Sequence, residues 1–170
     1  MPAPRAYCDW NATAPIRPDV AAAVAGALDL ANPSSLHQEG RAARAAIETA
    51  RAEVAALAGV RPGDVVFTSG GTEAVAMALQ PVHADECLHA GAAEHAAVLA
   101  GGRFARERIR IVPVDADGRL DFSELDIGIA QREGFDGPVH VAVQVANNET
   151  GAVTPLETFK AIKERGWHLT

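Results

Sequence analysis

Apolar and polar residues alternate along this chain in two rhythms. Leu36, Gly40, Ala43, Ile47, Ala50, Val54 and Leu57 recur at alternating spacings of four and three. That places them on one face of a helix, and the pattern predicts a long amphipathic helix that ends near Gly59. Ser35 with Gln38 fits a capping box at its start, and the small residues on its face would let a neighbour approach closely. An earlier helix is predicted from Pro18, which suits a first turn, to about Leu30, where "ANPSS" breaks the chain. Ahead of it, "AYCDW" reads as a short extended start.

From residue 64 the rhythm changes. "DVVFTS" predicts a strand and "GTEAVAMAL" a helix closed by Pro81. "ECLHA" predicts a short strand and "EHAAVLAGGRF" a helix; "RIRIVPV" a strand and "DFSELDIGIAQ" a helix; "PVHVAVQVA" a strand and "LETFKAIKERG" a helix capped by Gly166. Repeated strand–helix units imply an α/β fold with a mostly parallel, helix-covered sheet and right-handed crossovers. "GWHLT" reads as the opening of one more strand, and the chain stops there, so a fragment is expected. The division expected is an N-terminal segment with the first helix at 1–35 and a partial large domain at 36–170, one incomplete domain in all.

Composition narrows the function classes. The 170 residues suffice for one domain with a sizeable core. A formal charge of −7 argues against a nucleic-acid or anionic-membrane surface, which needs clustered Lys and Arg. Lysine is confined to Lys160 and Lys163, on a helix predicted to face solvent. Cys8 and Cys87 lack CxxC spacing, which leaves packed small residues as their expected role. No basic segment followed by an apolar one opens the chain, and no apolar run approaches the roughly 18 residues of a membrane helix. A cytoplasmic chain is expected.

Three stretches could carry chemistry. In "TSGGTEA" two glycines and several hydroxyls stand where a strand turns into a helix. Free amides and the helix dipole there favour an anion, the hydroxyls of Ser69 or Thr72 could donate to phosphate oxygens, and a merely tight turn is the alternative. The spacing is neither a Walker A loop nor a GxGxxG fingerprint. In "AAEHAAVL", His95 could be a helix cap or a proton carrier. In "VQVANNETGAVTP", Asn147, Asn148 and Glu149 follow a predicted buried strand, where open α/β sheets bind ligands, and an Asx-type turn is the alternative. Two metal readings are set aside. "PVDADGRLDFSE" nearly matches a calcium loop but has Pro113 at the first position. His83, Glu86, Cys87 and His89 lack a ligand spacing. No metal site is expected.

Taken in order, "YCDWNATAP", "ANPSSLHQEGRAARAAIETAR", "VVFTSGGTEA", "AAEHAAVL" and "ANNETGAVTP" resemble the N-terminal part of a cysteine desulfurase. This is a member of the class V aminotransferase family, which uses pyridoxal 5′-phosphate (PLP) on a fold-type-I scaffold. The likeness covers nearly all 170 residues. It implies that Gly71 and Thr72 hold the cofactor phosphate, that His95 stacks on the pyridine ring and assists proton transfer, and that Asn148 contacts the 3′-oxygen. It sets Asn11 and Ala12 in a substrate-side loop and Asn32 to Ser34 near the site entrance. It also implies L-cysteine as substrate, L-alanine as product, a sulfur-acceptor protein, a role in iron–sulfur cluster assembly and a homodimer. Departures include the apolar "AVAMAL" after Glu73, where polar residues are usual, and Ala14, where a second threonine is common. The family's Schiff-base lysine, the aspartate that pairs with the pyridine nitrogen and the sulfur-receiving cysteine match nothing here, so the isolated chain is expected to be inactive. Alternatives are another class V enzyme (selenocysteine lyase, epimerase or aminotransferase), a non-catalytic partner or scaffold, and an α/β domain that binds phosphate or a nucleotide through the glycine turn alone.

Overall fold

The computed structural model describes residues 6–130 and 137–170 and divides into two compact units, residues 1–67 and 68–170. In the first unit, helix α1 spans Pro18–Ala27. It opens on proline as expected but ends short of Leu30. Helix α2, Gln38–Ala58, is the long helix that the four–three spacing predicts, closed by Gly59 at φ 69° with its amide on Ala55 and Ala56 carbonyls. Its start differs from the predicted capping box. His37 is the N-cap, and the Ser35 hydroxyl accepts the His37 amide instead of an amide inside the helix. Gly40 is small for a local reason: a Cβ there would lie 2.4 Å from the Ser35 carbonyl and 2.8 Å from that of Asn32.

"DVVFTS" is not a strand. Residues 65–68 join no ladder among the described residues, and Val66 is 65% exposed. Apolar alternation permits a strand, but only pairing makes one. The Val65 carbonyl is taken by the Arg51 guanidinium, which also lies 5.0 Å from the Phe67 ring centre. Cys8 is exposed, contrary to the packed role expected, because the 6–10 segment forms no element around it; Cys87 is buried as expected.

The second unit holds the sheet. Helix α3 is Gly71–Ala78, strand β1 Cys87–Gly91, helix α4 Ala96–Leu99, strand β2 Ile109–Val112, helix α5 Phe122–Ala130, strand β3 Val139–Ala142, helix α6 Leu156–Glu164 and strand β4 His168–Leu169. The strands lie in the order β2-β1-β3-β4, every pair parallel, which is the predicted fold class. Gln131, the last residue of the predicted fifth helix, lies outside the described residues. Helix α4, within the stretch "EHAAVLAGGRF" whose helical length the sequence left open, is four residues long. Gly101 and Gly102, at φ 77° and 57°, turn the chain there, and a Cβ on Gly102 would meet the Leu79 carbonyl at 2.3 Å.

Two cores sandwich the sheet. One face carries Leu88, Ala90 and Ala142 against Leu79 and Phe104, with Val75 of α3 and Val98 of α4 beside them. The other carries Val139 and Val141 against Leu125 of α5 and Ile162 of α6. Lys160 and Lys163 lie exposed on α6. No helix among the described residues is long and apolar enough to cross a membrane.

Leu88 is fully buried at the middle of this arrangement. Leu88→Ala should lower unfolding free energy by about 2–5 kcal/mol in urea titrations. A loss below about 1 kcal/mol would mean that β1 is not the central core strand.

Candidate functional site

The three candidate stretches all fall in the second unit, at the carboxyl end of the parallel strands or on the helix beside it. Gly71 and Thr72 open α3. Its N-cap, Gly70, offers no side chain, and the first amide with a helical acceptor is that of Ala74, bonded to the Gly70 carbonyl. The amides of Gly71, Thr72 and Glu73 are thus the unpaired donors of the first turn. A Cβ on Gly70 or Gly71 would meet nothing within 4 Å, so the backbone is open to a ligand. The Ser69 hydroxyl is already engaged: it and the Ser69 amide both donate to Glu73 Oε2 at 2.6 Å. Those bonds hold the Glu73 carboxyl below its ordinary pKa. The hydroxyl left for a phosphate is that of Thr72.

His95 is the N-cap of α4. Its Nδ1 accepts the Ala97 amide at 3.1 Å, and the residue is exposed. Nδ1 must therefore be unprotonated, and the hydrogen of the neutral ring sits on Nε2. Asn148 is exposed and donates to Glu149 Oε1 at 2.9 Å.

Its neighbour Asn147 is the buried one of the pair. Asn147 Oδ1 accepts the amides of Glu149 and Thr150, both at 2.9 Å, while Nδ2 donates to the Ala93 carbonyl at 2.6 Å. Gly151, at φ 72°, closes this turn. The Gln144 amide donates to Glu94 Oε1 at 2.8 Å. Two bonds therefore tie the exit of β3 to the exit of β1, bringing the backbone around His95 to the loop that carries Asn148.

Between α3, α4 and this edge lies a cavity of about 330 Å³, lined among others by Ala74, Val75, Glu94, Val98 and Gln144. That size sits at the lower end of small-molecule sites. The Gln144 side-chain amide is buried in the lining, beside the Glu94 carboxyl. Burial lifts the Glu94 carboxyl above its ordinary pKa, opposed by the bonds from Gln144. Gly71, Thr72, His95 and Asn148 do not line the cavity. They stand next to residues that do: Ala74 is one turn on from Gly71, and Glu94 adjoins His95. Asn11, Ala12 and Asn32 lie in the first unit. The Ala12 amide bonds Asp9 Oδ1, and Asn32 Oδ1 accepts the Ser34 amide.

Sequence reasoning did not single out Glu94 or Gln144. The available signal was a carboxylate next to a histidine, which looks the same on a solvated turn. The near-calcium loop is an ordinary turn: Asp115 Oδ1 accepts the Asp117 and Arg119 amides, and Asp121 Oδ1 accepts those of Ser123 and Glu124 at the start of α5.

A family model described as aminotransferase class-V matches residues 6–169, and the chain belongs to that family. A cysteine desulfurase of Frankia sp. (strain EuIK1) is 40% identical over 94% of this chain and 42% of its own length. Another, of Cereibacter sphaeroides, is 36% identical over 95% of this chain and 43% of its own. The solved NifS-like protein from Rickettsia africae is 30% identical, with a TM-score of 0.81 over 95% of this chain and 45% of that one. The chain spans less than half the length of each.

Glu94 gives the site a pH signature. Because its folded pKa is raised, the folded protein holds the proton to higher pH than the unfolded chain does. Its contribution is complete below the ordinary glutamate range and is lost as pH rises through the folded value. Glu94→Gln should therefore be more stable than the parent at neutral pH, with the difference vanishing in acid. Parallel urea midpoints across that range would show that Glu94 is not desolvated.

Proposed function

We propose that residues 68–170 form the cofactor-holding face of a PLP-dependent cysteine desulfurase acting on L-cysteine. The observation that carries this reading is the pair of bonds from Asn147 to Ala93 and from Gln144 to Glu94, which draw two strand exits together beside the open start of α3. The residues present fit the cofactor. Unpaired amides at Gly71 and Thr72, an uncrowded glycine backbone and the Thr72 hydroxyl suit a phosphate dianion. A mostly apolar cavity with a buried side-chain amide, that of Gln144, suits a flat ring that carries an oxygen.

Bound there, PLP supplies an electron sink for the substrate carbon that bears the amine. The chain's own residues would do the rest. Gly71 and Thr72 would anchor the phosphate, and Asn148 would orient the ring oxygen if its amide leaves Glu149. His95 would present Nε2–H as a donor for as long as Nδ1 caps α4. To take a proton, the ring must give up the Ala97 amide, so its two roles compete. The Glu73 carboxylate lies on the same turn as the phosphate donors, with its charge engaged by the Ser69 amide and hydroxyl. Lys160 and Lys163 lie exposed on α6, and this reading gives neither of them the Schiff-base role.

The test is turnover of L-cysteine by the complete natural protein loaded with PLP, measured as sulfide under reducing conditions together with alanine. Equimolar release is expected. His95→Ala should lower kcat by about a hundred- to ten-thousandfold with little change in KM. In the unloaded protein, nitrogen NMR should find the neutral His95 ring protonated on Nε2. Turnover of L-selenocysteine alone, or amine exchange without alanine release, would replace this reading by another class V activity.

A further inference from the structure

A second polar cluster lies at the opposite, amino-terminal edge of the sheet. Glu86 directly precedes β1, His140 is the second residue of β3 and His168 the first of β4. The register pairs Leu88 with His140 and His140 with His168. Residues two apart share a face, so all three side chains fall on the α3–α4 side. Cys87 and His89 alternate to the other side, which removes them from the cluster that adjacency in sequence had suggested. One ligand-type atom from each of Glu86, His140 and His168 lies within 4.8 Å of the others. Glu86 is fully buried and His140 is 5% exposed.

We propose that Glu86, His140 and His168 bind a divalent transition-metal ion of the zinc–cobalt type. Two imidazoles and a carboxylate are a donor set that such ions favour. Each buried donor is also held from behind. Glu86 Oε2 accepts the Val82 and His83 amides, which leaves Oε1 to face the two rings. His140 Nε2 is bonded to Thr170 Oγ1 at 2.7 Å, so Nδ1 is aimed at Glu86. Outer contacts of this kind fix the orientation of metal-binding histidines.

His140 Nδ1 is buried and has no hydrogen-bond partner among the described residues. It stands 3.4 Å from Glu86 Oε1, about the separation of two ligands around a tetrahedral zinc ion. His168 Nδ1 is closer, 2.5 Å from the same oxygen, and must withdraw by about 1 Å to admit the ion. With its side chain 41% exposed, it is the ligand with room to do so. That open side leaves a fourth position for water or for His83, whose ring is 6.4 Å from that of His168. Such an ion would join the starts of β1, β3 and β4. It would do so away from the carboxyl edge, so the inference stands apart from the cofactor reading.

The test is titration of the metal-free, purified protein with Co2+, followed by displacement with Zn2+. One equivalent of Co2+ should bind at micromolar or lower concentration and give the strong visible bands of a four-coordinate ion, which Zn2+ should abolish. Glu86→Gln and His168→Asn should each weaken binding by at least tenfold, and His37→Ala, at an exposed histidine of the first unit, should not. If Glu86→Gln fails to fold, the parent titration and the half-exposed His168→Asn still decide. Absence of a stoichiometric visible spectrum, or a spectrum that survives His168→Asn, would overturn the proposal and leave an ion pair only.

Discussion

The carboxyl edge of the sheet depends on a buried amide, Asn147. One side chain closes its own turn through the Glu149 and Thr150 amides and reaches across to the Ala93 carbonyl. Backbone groups at strand exits cannot remain unpaired once they are covered, and unmade bonds of that kind cost about 1–3 kcal/mol each. Asn147 and Glu94 satisfy them across the gap between β1 and β3. This fixes where His95 and Asn148 emerge without involving either of them. The exposed residues proposed to carry chemistry, His95 and Asn148, are therefore positioned by the buried Asn147 and the half-buried Glu94.

The same division runs through the unit. At one edge, among the described residues, the chain leaves the first amides of α3 unused. At the other edge it buries a carboxylate among imidazoles. Burial alone would raise the Glu86 carboxyl, but the Val82 and His83 amides and the His168 ring outweigh it and leave it below its ordinary value. Desolvation acts on His140 in the direction natural to a base and lowers its pKa. Both shifts act in the direction of a neutral His140 beside an ionised Glu86.

Much of this was legible in the sequence because it is local. The spacing from Leu36 to Leu57 marks α2, Gly59 ends it, and the strand–helix alternation gives the parallel sheet. What stayed hidden is set by contacts between distant residues. "DVVFTS" has the composition of a strand, but among the described residues no neighbour pairs with it. "EHAAVLAGGRF" has the composition of a helix, yet Gly102 must pass against the Leu79 carbonyl, which ends the helix after four residues. Asn148 could be matched to a motif, whereas the burial of Asn147 beneath it needed coordinates. Glu86, His140 and His168 are too far apart in sequence for spacing to join them, and only the parallel register does so.

The most direct test of the carboxyl-edge site is backbone amide NMR of the isotope-labelled protein during titration with PLP. Signals of Gly71, Thr72, Glu94 and Asn147 should move together and saturate at one equivalent, while pyridoxal without its phosphate should move them far less. Shifts confined to other regions, or equal responses to both compounds, would contradict a phosphate-anchored cofactor at this edge.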